Sequence, residues 1–500
     1  MGNPDVNAFY SQPILNSPYE EPTRHWELDD DHQPTRNIIE TRRPADFITP
    51  VPKPKKKKGA KQGTLLTDET DIQAALISDP AQEYHKALIN EIRSHVSKWR
   101  KLPKEEWKVT PITARLLEYW RTHEFSAIRP FFCQLEAVET AIWLTEVVPH
   151  YPKLREKYAT HLMDAEQAHN PGIHRLALKM ATGSGKTTVM AMLIAWQTLN
   201  HVRYSKKKFS KGFLVVAPGI TIRDRLQVLK PNDPNSYYKE RELVPSDMMR
   251  DLNEAKIVIT NYHAFMAREK ISLSKGTQAA LEGWSGKSLD TKETEGEMIH
   301  RVMPSLEGMK DIVVFNDEAH HCYREKLETE EDAFAGLKGS DLTDAKNEAK
   351  ERGEAARVWI SGLEAVARHI GIRRVFDLSA TPFFLAGSGY AEGTIFPWTL
   401  SDFSLMDAIE CGIVKLPRIP VADNVPTAEV PIYRNLWENI RTKMPKKGSK
   451  YDPQSLPTPL LTAMEALYGH YKETFDAWKA EGISVPPCFI IVCNNTNTSK

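Results

Sequence analysis

Five short apolar runs limit how this 500-residue chain can fold. They are "LALKM" from Leu176, then "KGFLVVAPG", "AKIVITNY", "KDIVVFNDE" and "RRVFDLSATP". Each is continuous rather than alternating, so each reads as a strand covered on both sides. Stretches with helical spacing separate them. Such strands, joined through helices, make a parallel sheet with helices on both faces, an α/β fold. Each run ends in polar residues, which places the chemistry at the carboxyl edge of the sheet.

The first run leads into "ATGSGKTT". Thr188 to Asn200 then carries Val189, Met192, Leu193, Trp196 and Leu199 at helical spacing. Between strand and helix, Gly183 and Gly185 free the backbone N–H groups of Thr182–Thr187 to wrap phosphate oxygens. The helix start adds partial positive charge. Lys186 is placed to reach the β- and γ-phosphates, and the Thr187 hydroxyl to ligate Mg²⁺. Thr182, Gly183, Ser184, Gly185, Lys186, Thr187 and Thr188 are the expected ATP-binding set. The strict phosphate-loop pattern asks for glycine at 180, where this chain has Met180.

The run ending "FNDEAHHCYRE" supplies what a phosphate loop lacks. Asp317 suits the Mg²⁺ shell, and Glu318 suits the orientation and deprotonation of an attacking water. Lys186, Asp317 and Glu318 are therefore the expected catalytic residues, with ATP and Mg²⁺ as cofactors.

The set resembles superfamily 2 helicases and translocases of the DEAD/DEAH kind. Met180–Thr187 looks like motif I, "VVAPGITIRDRL" like motif Ia, and "IVITNYHAF" like the later strand-contact motif. "NDEAHH" looks like motif II, and Ser379-Ala380-Thr381 like motif III. Upstream, "IRPFFCQLEAVETAIWL" resembles the adenine-reading segment, with Gln134 as base reader. The resemblance spans roughly Arg129 to Pro420 and implies a RecA-like domain. It also implies nucleic-acid contacts at Pro218, Gly219, Arg223, Thr260 and Asn261, with Arg225 adding charge. His320, Ser379 and Thr381 would couple the ATP site to the strand track.

Within the superfamily, "MATGSGKT", "NDEAHHCYRE" and "DLSATPFF" look most like restriction subunits of type III restriction-modification enzymes. The segments "PILNSPYEEPTRHWEL" and "SDFSLMDAIECGIVKLPR" look like a restriction-endonuclease-like branch of that group. This resemblance implies ATP-driven motion on double-stranded DNA and a DNA methyltransferase partner subunit. It implies a metal-dependent nuclease domain beyond residue 500. A second-domain arginine that completes the ATP site is not found in this chain, so a chain ending at Lys500 should bind ATP but hydrolyse it poorly. The rival readings are an RNA helicase and an ATP-gated nucleic-acid-binding scaffold that does not translocate.

The remaining chain reads as follows. Residues 1–66 form an extended polar arm that Trp26 and Ile38-Ile39 dock, ending in a basic run, Lys53, Lys55–Lys58 and Lys61. Residues 67–128 form a helical region. A helix starts at Asp79-Pro80, with Tyr84, Leu88, Ile92, Val96 and Trp99 on one buried face, and a second covers Ile112–Trp120. Residues 129–420 form the first RecA-like domain, interrupted by charged insertions at about 266–300 and 324–356. A connector and helix fill 421–485. Residues 486–500 begin a truncated second RecA-like domain, with Cys488–Cys493 as a buried strand. Net charge is zero, so nucleic acid must be met by a local patch rather than the whole surface. The five cysteines form no CxxC pair, which argues against a zinc site or disulfide framework and fits the cytoplasm. No apolar run reaches membrane-spanning length.

Overall fold

In a computed structural model of the chain, residues 8–29, 32–46, 80–268, 292–326, 340–385, 387–417, 436–444 and 456–492 are described. They fall into two units, Met1–Leu416 and Pro417–Lys500.

In the first unit the five apolar runs become parallel strands: β3 (Arg175–Met180), β4 (Gly212–Ala217), β5 (Lys256–Asn261), β6 (Ile312–Asp317) and β7 (Ile372–Ser379). A further strand, β8 (Thr399–Phe403), completes a six-stranded sheet in the order β5-β4-β6-β7-β3-β8. Leu178 lies opposite Leu378 in the β3–β7 ladder, and Met180 opposite Phe403 in β3–β8. The phosphate loop after β3 and the acidic turn after β6 thus lie on either side of the end of β7.

Strand side chains alternate between the two faces, and each face has its own helices. On one face Phe213, Val215 and Phe315 pack with Val96, Leu116, Val138 and Leu193. Those last four lie on the helices Pro80–Arg100, Pro111–Thr122, Phe132–Ile142 and Lys186–Arg203. The helices ahead of the phosphate loop therefore share its core. On the other face Leu214, Val216, Val314 and Val375 meet Ile299 of Glu295–Val302 and Trp359, Leu363 and Val366 of Ser340–His369. Residues 340–356 of the second charged insertion thus form the amino half of a helix whose carboxyl half, beyond the insertion, is core. Residues 269–291 and 327–339 of the insertions lie outside the described residues.

Local chemistry sets the helix starts. Thr110 caps Pro111–Thr122 by accepting from Thr113 N, with proline at the first position. Pro80 opens the first long helix, and Leu88, Ile92, Val96 and Trp99 are buried as expected. Tyr84 is not: it is 48% exposed, one turn before the face meets the core.

The arm is not simply extended. After a short helical turn, Ala8–Ser11, it folds into an antiparallel hairpin of β1 (His25–Leu28) and β2 (Pro34–Ile39). Trp26 docks it, buried against Phe9 and Ile409. Ile38 and Ile39 are exposed, because the pairing that seats Trp26 leaves β2 as the outer strand. The lysine run at 53–61 lies outside the described residues.

In the second unit a helix covers Thr458–Ala480 as the stripe of Leu460, Met464, Leu467, Tyr471, Phe475 and Trp478 predicts, but none of its residues is buried. Of Cys488–Cys493, expected as a buried strand, the described residues 488–492 are neither: they carry no ladder, and Ile490 and Val492 are 82% and 90% exposed. A strand needs a paired neighbour and a face to bury, and the described residues of this unit supply neither.

Candidate nucleotide and nucleic-acid site

β3 ends at the fully buried Met180, whose side chain belongs to the core. The chain then turns through Gly183 and Gly185, at φ 84° and 89°. These are left-handed conformations that a side chain resists. Gly185 has a second constraint, since a Cβ there would lie 2.2 Å from Gln134 Nε2. The helix Lys186–Arg203 starts immediately after it, so its free N–H groups face the loop. Ser184 is buried, and its hydroxyl donates to the Ala181 carbonyl at 2.6 Å. Thr182 and Gly183 are exposed, while Gly185, Lys186 and Thr187 are part-exposed, which leaves an open rim. Thr188 is buried, and its hydroxyl accepts from Arg241 Nη1 at 2.9 Å.

Across this rim stands the acidic turn. Lys186 Nζ donates to Glu318 Oε1 at 2.5 Å. Asp317 is 8% exposed. Burial pushes its carboxyl up to about 6; the Lys186 ammonium works against that shift, and Glu318 adds to it. Glu318 itself sits at φ 50° and opens the short 3₁₀ turn Ala319–His321. That conformation is uncommon for a residue with a side chain, and it aims the carboxylate back over the loop. His320 Nδ1 lies 2.9 Å from Ser379 Oγ at the end of β7, and the same hydroxyl accepts from Thr381 N at 3.0 Å. Burial, then the neighbouring His321, brings the His320 imidazole down to about 4, so it is neutral at neutral pH. Lys186, Asp317, Glu318, His320, Ser379 and Thr381 therefore form one connected group.

Gln134, expected to read a base, is buried and uses both ends of its amide within the protein. Nε2 donates to the Ser184 carbonyl at 2.9 Å and Oε1 accepts from Phe131 N at 3.1 Å. As placed, it braces the phosphate loop. Among the expected nucleic-acid contacts, Pro218 and Gly219 follow β4 and are part-exposed. Asn261 caps the turn Tyr262–Phe265 by accepting from Ala264 N, and Thr260 is buried. Arg223 pairs with its neighbour Asp224 at 2.7 Å. Arg225 lies near enough to Asp317 to favour its ionised form.

Three residues near the loop escaped the sequence reading. Arg241 reaches Thr188 with its guanidinium 3.8 Å over the Tyr237 ring. Val414 would touch a Cβ on Gly183 at 3.4 Å. Arg175, fully buried in β3, pairs with Asp377 Oδ2 at 2.7 Å and holds the sheet beneath the loop. A buried arginine at the start of an apolar run was the one available signal.

The glycine cradle, the helix start, the part-exposed lysine and the buried carboxylate fit a triphosphate and a divalent cation. A parallel sheet that gathers these groups at its carboxyl edge is the arrangement of an ATP-using α/β domain, and its family match puts it in the superfamily 2 helicase and translocase class. The chain belongs to the family of type III restriction enzyme res subunits, whose family model matches residues 128–384, about half of its length. That family implies ATP use, usually with Mg²⁺. Among solved structures, UvsW of T4 aligns at 12% identity with a TM-score of 0.25, covering 63% of this chain and 44% of that one. The chain thus spans less than half the length of that structure. No curated protein sequence matches the chain significantly. Among the described residues, no helix is long and apolar enough to cross a membrane.

Proposed function

We propose that these residues are the ATP-binding part of a translocase that couples ATP hydrolysis to movement along double-stranded DNA, within a type III-like restriction enzyme. The observation that carries the reading is the meeting of Lys186 with the Asp317–Glu318 pair, at 2.5 Å from Nζ to Glu318 Oε1. Residues Thr182–Thr187 would hold the phosphates through backbone N–H groups, and Thr187 and Asp317 would hold Mg²⁺. Bound there, the ion supplies positive charge against the triphosphate oxygens. Lys186 leaves Glu318 for the phosphates, which frees the Glu318 carboxylate to take the proton of an attacking water. Gln134 holds the loop in shape. His320 and Ser379 carry any shift of the acidic turn to the end of β7. Pro218, Gly219, Arg223, Thr260 and Asn261 would grip the DNA backbone without reading bases. The nuclease domain and methyltransferase subunit implied by the resemblance belong to the same proposal, as does its cytoplasmic setting.

The test is ATP turnover of the full-length protein with duplex DNA, single-stranded DNA or RNA. Duplex DNA is expected to stimulate it. Stimulation by RNA alone would reject the DNA reading in favour of an RNA helicase. Glu318→Gln is expected to lower turnover at least about 10²-fold while nucleotide still binds. Unchanged turnover would remove Glu318 from the role of base.

A further inference from the structure

A cleft of about 490 Å³ opens beside the ATP site, lined by Pro218, Tyr262, His321, Glu351, Arg352 and Ala355. It joins the ends of β4 and β5 to the acidic turn and to the amino half of the inserted helix Ser340–His369. We propose that this cleft holds a backbone phosphate of the DNA strand, with Arg352 as its cationic contact, and that His321 relays its occupancy to Glu318. The inference rests on the nucleic-acid reading above and adds to it a site on the insertion.

The wall is built rather than incidental. The Tyr262 ring stacks on Trp359 with centroids 5.5 Å apart and planes 5° from parallel. Trp359 is fully buried, so it fixes both the tyrosine and the helix. Arg352 lies seven residues before Trp359, two helical turns along the same face. The Phe265 ring approaches that helix so closely that a Cβ on Gly362 would fall 2.3 Å from it.

The donors match an oxyanion. Tyr262 Oη and the His321 ring nitrogens have no hydrogen-bond partner among the described residues. Arg352 adds a cation close enough to His321 to disfavour its protonation, beyond the larger effect of burial. The neutral imidazole still has one N–H to give. Glu351 is the one acid on the wall, and it is exposed. A phosphodiester accepts from all three donors and is repelled by Glu351 on the wall and by Glu318, whose carboxylate acts on the same imidazole.

The relay follows from the backbone. His321 closes the same 3₁₀ turn that Glu318 opens at φ 50°. His320, between them, is held to Ser379. A ligand that orders His321 therefore bears on the strained residue that carries the carboxylate.

The test is fluorescence anisotropy of the full chain with labelled duplex DNA, single-stranded DNA and RNA over a range of salt. Arg352→Gln should weaken DNA binding about fivefold or more and reduce the slope of log affinity against log salt by about 0.7 to 0.9. Glu351→Gln should tighten it about two- to threefold. His321→Gln should lower the ratio of DNA-stimulated to DNA-free ATP turnover. If wild-type protein binds DNA while Arg352→Gln and Glu351→Gln both bind identically to it, the cleft is not the phosphate site. An unchanged stimulation ratio in His321→Gln overturns the relay. Wild-type protein that binds no nucleic acid, with or without nucleotide, overturns the parent reading as well. Weakening seen with RNA alone overturns the assignment of the strand as DNA.

Discussion

Asp317, proposed above as a Mg²⁺ ligand, ties proton binding to stability at the residue scale through one buried carboxyl. Its folded pKa of about 6 lies above the ordinary aspartate value of 3.8, because burial disfavours the charged form. The folded state thus holds the proton more tightly than the unfolded chain does. Stability from this group is complete below the unfolded pKa and is lost as pH rises through the folded one. Removing the charge by Asp317→Asn should raise the metal-free melting temperature near neutral pH, a gain of at most about 3 kcal/mol for a shift of this size. The same variant should lose Mg²⁺-dependent nucleotide binding. Since a cation needs the ionised carboxylate, Mg²⁺ affinity should also fall as pH drops through about 6. Titration calorimetry between pH 5 and 8 checks this, and a flat profile would remove Asp317 from the metal's ligands. That Lys186, Asp317 and Glu318 belong to one candidate site was legible because each motif is local and its chemistry follows from neighbours in the chain. Arg241 was not, since a crossover between strands brings it to the loop and no spacing encodes that; Arg225 was expected at the nucleic acid, and its place near Asp317 was not foreseen. Gln134 was legible as a residue of interest, while its two internal hydrogen bonds depend on the exact seat of the loop.

Among the elements, the five strands with continuous apolar runs declared themselves and β8 did not. Its sequence, Thr399-Leu400-Ser401-Asp402-Phe403, is mostly polar, yet all five residues are buried. Asp402 is absorbed by partners far away in sequence: Lys179 Nζ meets its Oδ1 at 2.5 Å, and Arg93 donates to its carbonyl at 2.7 Å. A hydropathy pattern cannot reveal a strand whose burial rests on such pairings. The inserted helix shows the converse. Its charged amino half suggested a surface excursion, and its carboxyl half is core, packed through Gly362 against the Phe265 ring. Gly362→Ala should therefore destabilise the first unit by about 1–3 kcal/mol, because the added methyl overlaps the ring. At Gly469, in the helix Thr458–Ala480, an added methyl would meet nothing within 4 Å. There the same substitution should favour the helix by about 0.5–1 kcal/mol. Urea denaturation followed by circular dichroism separates the two, and equal effects at both glycines would deny the close packing at Gly362.

For the molecule as a whole, the arm closes the first unit by reaching from its first residues to its last. Arg43 Nη2 lies 2.6 Å from Glu410 Oε1, in a pair nearly sealed from water, and also donates to the Trp26 carbonyl. Arg42 makes a second such pair with Glu136 at 2.6 Å, on the helix that carries Gln134. Burial pushes the Glu410 carboxyl up, and Arg43 pulls it back towards ionisation. The arm was visible in the sequence as a polar segment with one anchoring tryptophan. Its ion pairs were not, because 367 residues separate Arg43 from Glu410. Removing one member of a buried pair leaves the other charge uncompensated, at a cost of about 3–5 kcal/mol, whereas replacing both with apolar side chains is often neutral. Arg43→Met and Glu410→Leu should each destabilise the first unit by that amount, and the double variant should recover most of the loss. The coupling energy comes from a double-mutant cycle read by urea denaturation. Additive losses would mean that Arg43 and Glu410 act independently. In that case Trp26, through its packing on Phe9 and Ile409, would be what holds the arm in place.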